Sequence, residues 1–559
     1  MKNKQQVANC PVTNRRSFLK MLGVGAVSVP LHSVFAGESP GPDLRPNIVL
    51  IMADDMGFSD IGCYGGEIPT PNIDALAAEG LRFTQFYNTA RCSPTRASLL
   101  TGLHPHQTGV GILAEDPNEH GKKDAAAGYT RYLNRQCITL AEALKPAGYH
   151  TYMAGKWHLG YHGNEKWPLQ RGFDRYYGCI AGAVSYFRPT APRNLTLDNT
   201  PLPPPEDPAF YTTDAFTDYA IRFVLEQQDN APFFLYLAFN APHWPLHAPQ
   251  EDVEKFVGKY RTGWDQMRRE RYSRQVKQGI VDAKWPLSER DSGARPWDNL
   301  TDEQKEQLDY RMAVYAAQVH CMDHNIGRLV EILRQQGKLD NTVILFLSDN
   351  GGCAEPYHDL GGGDIKAVNK ADAAWAGGKG EGMGGSSYGT GWANASNTPF
   401  RRFKSMLHEG GIATPLIVRW PNGLKLKPGS LTHAPGYLPD VMPTVLELAA
   451  ARYPETFNGQ KLHPLAGKSL VPVFESGTRS GHAWMFWEQY GNRAVRRGKW
   501  KAVKAAESRA WELYDLQADR TETNDLVRQH PDLLAEMTEA WDHWARTCQV
   551  LPKNTPATQ

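Results

Sequence analysis

Among the 559 residues no two cysteines stand in a Cys-x-x-C spacing. That absence argues against pair-based zinc sites and against a dithiol redox motif. An excess of charge of either sign is missing too, with Lys+Arg at 61 and Asp+Glu at 60. Nothing in that balance points to a nucleic-acid partner, and none is expected. Beyond the N-terminal stretch no run is long and apolar enough to cross a bilayer, so no span is expected in the mature chain. No internal repeat is visible.

What cysteine there is lies scattered, at Cys10, Cys63, Cys92, Cys137, Cys179, Cys321, Cys353 and Cys548. The N-terminus reads as a secretory signal over residues 1–36: Arg15 and Arg16 precede a short apolar run, and Val34-Phe35-Ala36 supplies small-residue cleavage chemistry. The competing reading is a cytosolic helix with a chance arginine pair, but the three signal regions occur in order. The twin arginines imply a translocase that exports folded cargo to a bacterial periplasm or beyond. Cys10 would leave with the signal, and the odd remainder leaves at least one thiol unpaired.

The length exceeds one ordinary domain and suggests a large core with a smaller appendage. Short apolar runs, "NIVLIM", "RFTQFY", "FFLYLAF", "TVILFLS" and "TPLIVRW", read as buried strands. Helical patterns fall between them. Thr70, Pro71 and Gly80 bracket one. Leu308, Tyr315, Val319, Ile326, Leu329 and Leu333 mark a long one ending near Gly337. The expected fold is α/β, a large, mostly parallel sheet flanked by helices, with a catalytic domain over 46–475. From about residue 480, antiparallel strands around a Tyr-Gly-Asn turn and a closing helix predict a C-terminal subdomain over 480–548. Three stretches read as irregular: Pro-rich 187–208, charged 258–302 and Gly-rich 351–392.

Ligands of parallel α/β sheets gather outside the carboxyl ends of the strands. Here those ends deliver Asp54 and Asp55, then Asp349 and Asn350, then Lys156 and His158, then His243 with His247 behind it, and finally Cys92 and Arg96. Three carboxylates and an amide suit Ca²⁺ or Mg²⁺ better than zinc, although each acid could instead cap a turn. With Ser93 as N-cap and Pro94 as first helical residue, Cys92 would project at a helix N-terminus. There, near Arg96, a thiol would be acidified or an oxyanion seated; the bland alternative is an inert buried cysteine. Lys156, His158, His243 and Lys404, ordinary singly, together describe a pocket for a tetrahedral oxyanion.

The string Cys92-Ser93-Pro94-Thr95-Arg96, continuing to Gly102, resembles the signature of type-I sulfatases in the alkaline-phosphatase superfamily. "PNIVLIMADDMGFSDIGCYGG", "GKWHLG", "NAPHWPLHAP", "SDNGG" and "GWANASNTPFRRFKSMLHEGG" are similar to further blocks of that family, as are two segments shared with bacterial arylsulfatases. The likeness covers residues 46 to 547. It implies that Cys92 is oxidised to formylglycine by a maturation enzyme, and that the aldehyde hydrate attacks the sulfur of an aryl or carbohydrate sulfate ester. The alcohol would leave first and inorganic sulfate second. By the same resemblance Asp54, Asp55, Asp349, Asn350 and the converted Cys92 would hold one Ca²⁺. Arg96 would stabilise the hydrate, Lys156 and Lys404 would grip sulfate, and His158 would serve as base. His243 would contact sulfate, and either His243 or Lys404 would protonate the leaving oxygen. A phosphonate monoester or phosphodiester hydrolase shares the motif and is the nearest rival. A non-catalytic binder of sulfated glycans is the rival of another class. Trp244 and His247 are expected on the cleft wall.

Overall fold

A computed structural model describes residues 45–117, 126–355 and 387–551. The signal-like segment and most of the Gly-rich stretch lie outside the described residues. The central sheet has eleven strands. They are β1 (Asn47–Ala53), β2 (Leu81–Tyr87), β3 (His150–Gly155), β4 (Arg175–Cys179), β5 (Leu195–Leu197), β6 (Thr200–Pro201), β7 (Phe233–Ala238), β8 (Thr342–Ser348), β9 (Ala413–Arg419), β10 (Ser430–Thr432) and β11 (Gly436–Tyr437). Their order is β10-β2-β9-β8-β1-β7-β3-β4-β5-β6, with β11 also on β2.

The interior strands are apolar throughout because both faces are covered. In β1, Val49, Ile51 and Ala53 join one core while Ile48, Leu50 and Met52 join the other. Strand β7 divides the same way, Phe233, Leu235 and Leu237 against Phe234, Tyr236 and Ala238. The long helix expected from its apolar stripe spans Asp302–Gln335 and is capped by Thr301, whose hydroxyl accepts from the Gln304 N–H.

Strands β3, β7, β1 and β8 run parallel and end level: Gly155 pairs with Ala238, and Ala53 with Ser348. Strand β9 departs from the parallel pattern, lying antiparallel to both β8 and β2. That reversal matters for the site. It brings the entry of β9, rather than its exit, to the rim where the other strands end, and so places Lys404 there.

Two expectations are corrected. The charged stretch 258–302 contains a helix, Gly263–Lys277, whose buried stripe begins apolar with Trp264 and Met267 and continues polar with Arg268, Arg271 and Gln275. Its apolar period stops after Trp264 and Met267, because the rest of the buried face is polar and Arg271 carries ion pairs there. Arg271 bonds Asp60 at 2.6 Å and Glu67 at 2.7 Å, fastening the loop after β1. The Pro-rich stretch, likewise read as irregular, carries the short β5–β6 pair.

After a two-residue hairpin (β12, Thr456–Phe457; β13, Gln460–Lys461) comes the C-terminal subdomain. Its antiparallel sheet orders β14 (Met485–Gln489), β15 (Asn492–Arg497), β16 (Trp500–Lys504) and β17 (Glu512–Asp515). Alternation splits its faces. Trp487, Ala494, Val503 and Tyr514 pack onto the main core; Val495, Ala502 and Leu513 pack under the helix Pro531–Thr547 with Trp541 and Trp544.

Candidate active site

The strand ends deliver the expected residues to one place, and all are buried. Lys156 Nζ donates to Asp54 Oδ2 at 2.6 Å, and Lys404 Nζ to Asp55 Oδ2 at 2.8 Å. Arg96 Nη2 lies 3.3 Å from Asp349 Oδ2 and 3.7 Å from Asp54 Oδ1, while its Nη1 donates to the Lys156 carbonyl at 2.8 Å. Asn350 Nδ2 donates to Asp55 Oδ1 at 2.7 Å, and His243 Nε2 lies 3.5 Å from Asp55 Oδ2. Cys92 Sγ is 3.4 Å from His158 Nδ1.

Local structure explains the convergence. Gly155 sits at φ 112°, and a Cβ there would meet the Ala238 carbonyl oxygen at 1.8 Å, so only glycine lets β3 turn into Lys156 at this spacing. Asp55, Ala90, His158 and Ser405 all hold left-handed backbone, with φ of 68°, 62°, 54° and 74°. Such strain in non-glycine residues concentrates at functional sites. The loop carrying His243 is pinned by Tyr186, whose hydroxyl donates to the Asn240 and His243 carbonyls at 2.6 and 2.8 Å.

The cysteine helix spans Cys92–Thr101, with Arg91 at the N-cap, two residues earlier than Ser93 capping would require. Ser93 is inside the helix and its hydroxyl accepts from the Ala114 N–H at 3.0 Å instead. Thr95 Oγ1 donates to the Asp349 carbonyl at 2.7 Å, fixing the helix to the acidic loop. Burial pushes the Cys92 thiol up, against the pull of Lys156 and Lys404. The expectation of an acidified thiol is therefore corrected: desolvation outweighs the nearby cations. Burial, aided by Lys156 and Arg96, pushes His158 well below the usual imidazole range and keeps it neutral.

The acids have the features of a cation site. Burial and then the neighbouring Asp349 push Asp54 up to about 7. Asp54 Oδ1 and Asn350 Oδ1 are buried without a hydrogen-bond partner. Spare oxygen acceptors beside crowded carboxylates fit a hard cation. Ligand atoms of Asp54, Asp55 and His243 lie within 4.8 Å of one another. Asp349 is more engaged, since its Oδ1 also accepts from the Asp55 N–H at 3.0 Å.

Sequence reasoning missed the rim. Arg91 is paired with Glu355 and donates to Ser405 Oγ at 2.9 Å. Glu355 also accepts from Trp244 Nε1 at 3.2 Å. Reading five residues past Asn350 would have reached Glu355, but nothing in its local string marks it. Trp244 thus stands on the rim as expected. His247 does not: it is 1% exposed and packs against Phe187 with ring centroids 5.6 Å apart.

Acids and cations converging on a helix-borne cysteine, at the carboxyl edge of this sheet, define an oxyanion-ester hydrolase with the alkaline-phosphatase-superfamily architecture. Residues 46–451 match the sulfatase family, and residues 401–544 match the N-sulphoglucosamine sulphohydrolase C-terminal family. The chain belongs to the sulfatase family and is a sulfuric ester hydrolase. It is 36% identical to an uncharacterized sulfatase of Schizosaccharomyces pombe, over 89% of this chain and 93% of the relative. It is 35% identical to an arylsulfatase of Klebsiella aerogenes, over 82% of this chain and 98% of that one. Among solved structures, Ps i-CgsB in complex with k-i-k-neocarrahexaose superposes with a TM-score of 0.64 at 26% identity, covering 90% of this chain and 93% of the other. The phosphonate monoester hydrolase of Agrobacterium radiobacter shares the fold, with a TM-score of 0.55 at 19% identity over 90% and 96% of the two chains.

Proposed function

We propose that the protein hydrolyses aryl or carbohydrate sulfate esters with a formylglycine made from Cys92, and that one Ca²⁺ is held by Asp54, Asp55, Asp349 and Asn350. The observation that carries this is the placement of Cys92. It is a buried, non-acidified thiol, poor as a nucleophile, at the centre of a site otherwise assembled for an oxyanion. Conversion to the aldehyde would supply a hydrated carbon whose oxygen is the nucleophile and whose second hydroxyl permits elimination of sulfate.

The remaining roles belong to the chain's own side chains. Asp54, Asp55 and Asp349 face Lys156, Lys404 and Arg96, three negative groups against three positive. A bound dication would leave an excess of positive charge, which suits a sulfate ester. Asp54 and Asp55 would serve the dication, and their present partners Lys156 and Lys404 would hold sulfate oxygens. His158, next to the Cys92 side chain, is the base for its second hydroxyl. His243 contacts sulfate, and His243 or Lys404 gives the leaving oxygen its proton. Arg96, held at the Lys156 carbonyl, steadies the nucleophile end.

Maturation would require a formylglycine-generating enzyme, and Arg15-Arg16 would direct the folded product through the twin-arginine translocase to the periplasm or outside. Rates on 4-nitrophenyl sulfate and on a nitrophenyl phosphate diester or phosphonate test the substrate class. Faster turnover of the sulfate is expected; faster turnover of the phosphorus esters would overturn the assignment.

A further inference from the structure

Among the described residues only Leu225, Val257 and Tyr490 are large hydrophobic side chains that stay exposed, Tyr490 at 41%. Tyr490 alone of these adjoins the site. It is the first residue of the two-residue turn joining β14 and β15, and it holds φ 50°, followed by Gly491 at 89°. This turn type strongly prefers Asn, Asp or Gly at that position, so an aromatic residue there is strained and poorly explained by folding.

The turn is held in place from two directions. Asn492 Nδ2 donates to the Ser405 carbonyl at 3.1 Å, one residue from Lys404. Glu488 accepts from the Gly491 N–H at 2.7 Å and bonds His106 Nε2 at 2.8 Å, just beyond the cysteine helix. The guanidinium of Arg91 lies over the Tyr490 ring, 5.7 Å from its centroid, and Arg91 is bonded in chain to Cys92. Tyr490, Arg91, Glu355 and Trp244 thus form a continuous arc beside the reacting position.

We propose that Tyr490 is a specificity residue: its exposed ring receives the flat face of the ring that bears the sulfate, aryl or pyranose. This rests on the reading of the cleft as the place where sulfate esters are cleaved. Arg91 holds the tyrosine, and Glu355 holds Arg91, so the C-terminal subdomain contributes directly to substrate choice. Recognition of a ring face by an aromatic side chain is independent of the anion subsite formed by Lys156 and Lys404.

The test is Tyr490→Asn, which installs the Asn-Gly pair the turn prefers and so removes the ring without threatening the fold. KM should rise about fivefold on ring-bearing esters, a stacking-sized effect, with kcat little changed. The inhibition constant of inorganic sulfate, which has no ring, should stay the same. Melting temperature should hold or rise. Tyr490→Phe and Tyr490→Trp should keep the wild-type KM. Measuring 4-nitrophenyl sulfate and a 6-sulfated hexosamine in parallel identifies the ring, since the preferred one should lose more. An unchanged KM on both esters, or an equal weakening of inorganic sulfate, would overturn the proposal. Wild-type protein that cleaves phosphate diesters and no sulfate ester would instead sink the sulfatase assignment, before any variant is compared. The same KM comparison, on phenyl against ethyl phosphodiesters, would then decide Tyr490.

Discussion

Two clusters of buried charge, one at the candidate site and one beneath the C-terminal sheet, differ in how their carboxylates are balanced. At the seam between the main body and the C-terminal sheet, Glu409 receives Lys501 Nζ at 2.9 Å, Arg520 Nε at 2.8 Å and the Tyr87 hydroxyl at 2.9 Å. Glu522 stands 2.8 Å from Lys501 and accepts from the Glu409 N–H at 2.8 Å. Although burial alone would raise the Glu409 carboxyl, Lys501, Arg520 and Arg496 bring it down to about 2. At the candidate site, against the push of burial, Lys404 and His243 likewise hold Asp55 well below the usual carboxylate range, but for Asp54 the balance is reversed: burial and Asp349 prevail, it stands at about 7, and its Oδ1 has no hydrogen-bond donor. The same kinds of residue are used in both places. The seam holds two parts of the chain together: Glu522 Oε1 and Arg520 Nη2 lack hydrogen bonds there too, but its carboxylates stand against Lys501, Arg520 and Arg496, whereas the site sets Asp54 beside Asp349 and leaves acceptors for something that must enter.

The sharpest way to break this contrast is to remove the reacting atom. Cys92→Ala should cost on the order of 10⁴-fold or more in turnover, with melting temperature unchanged within a degree or so. Comparable residual turnover would show that the chemistry lies elsewhere. Next in size is removal of the metal. Chelation should abolish activity and lower the melting temperature, with both restored by Ca²⁺; a ligand at 100 times its Kd stabilises by about 2.7 kcal/mol. A seam variant should behave in the opposite way. Lys501→Met takes from Glu522 its paired cation and from Glu409 one of two, and should destabilise by about 3–5 kcal/mol in denaturant unfolding, leaving kcat of the folded enzyme nearly intact.

The finest test uses pH, because the two carboxyls have opposite signs. A raised folded value means that Asp54 weakens the metal-free fold as pH climbs from about 3.8 to about 7. Chelated Asp54→Asn should therefore be more stable than chelated wild type at pH 8, with the gap closing on acidification. A lowered folded value means that Glu409 contributes stability above about 4.5, lost as pH falls toward about 2. Glu409→Gln should be less stable at pH 8 and converge with wild type only in strong acid. Gaps of equal sign would erase the distinction between the clusters.

Much of the site was legible because strand exits are legible: an apolar run that stops at Asp54, Lys156 or Asp349 marks the edge of a parallel sheet. Lys404 was harder, since it precedes an antiparallel strand instead of following a parallel one, and its place in the basic set rested on its nearness to that strand. Arg91, Glu355 and Tyr490 were not found, because each acquires its place through partners far away in sequence. The helix Gly263–Lys277 escaped for a different reason, as its buried face is apolar only at Trp264 and Met267 and then turns to Arg268, Arg271 and Gln275, too short an apolar period for helix recognition. The N-cap at Ser93 failed because a tertiary partner, the Ala114 N–H, claimed the hydroxyl.

The central claim concerns one side chain, and mass spectrometry of the peptide containing Cys92 tests it most directly. Active protein from a host with the maturation enzyme should carry at that position an aldehyde, lighter than cysteine and labelled by a hydrazide. An intact thiol at Cys92 in fully active protein would contradict the account.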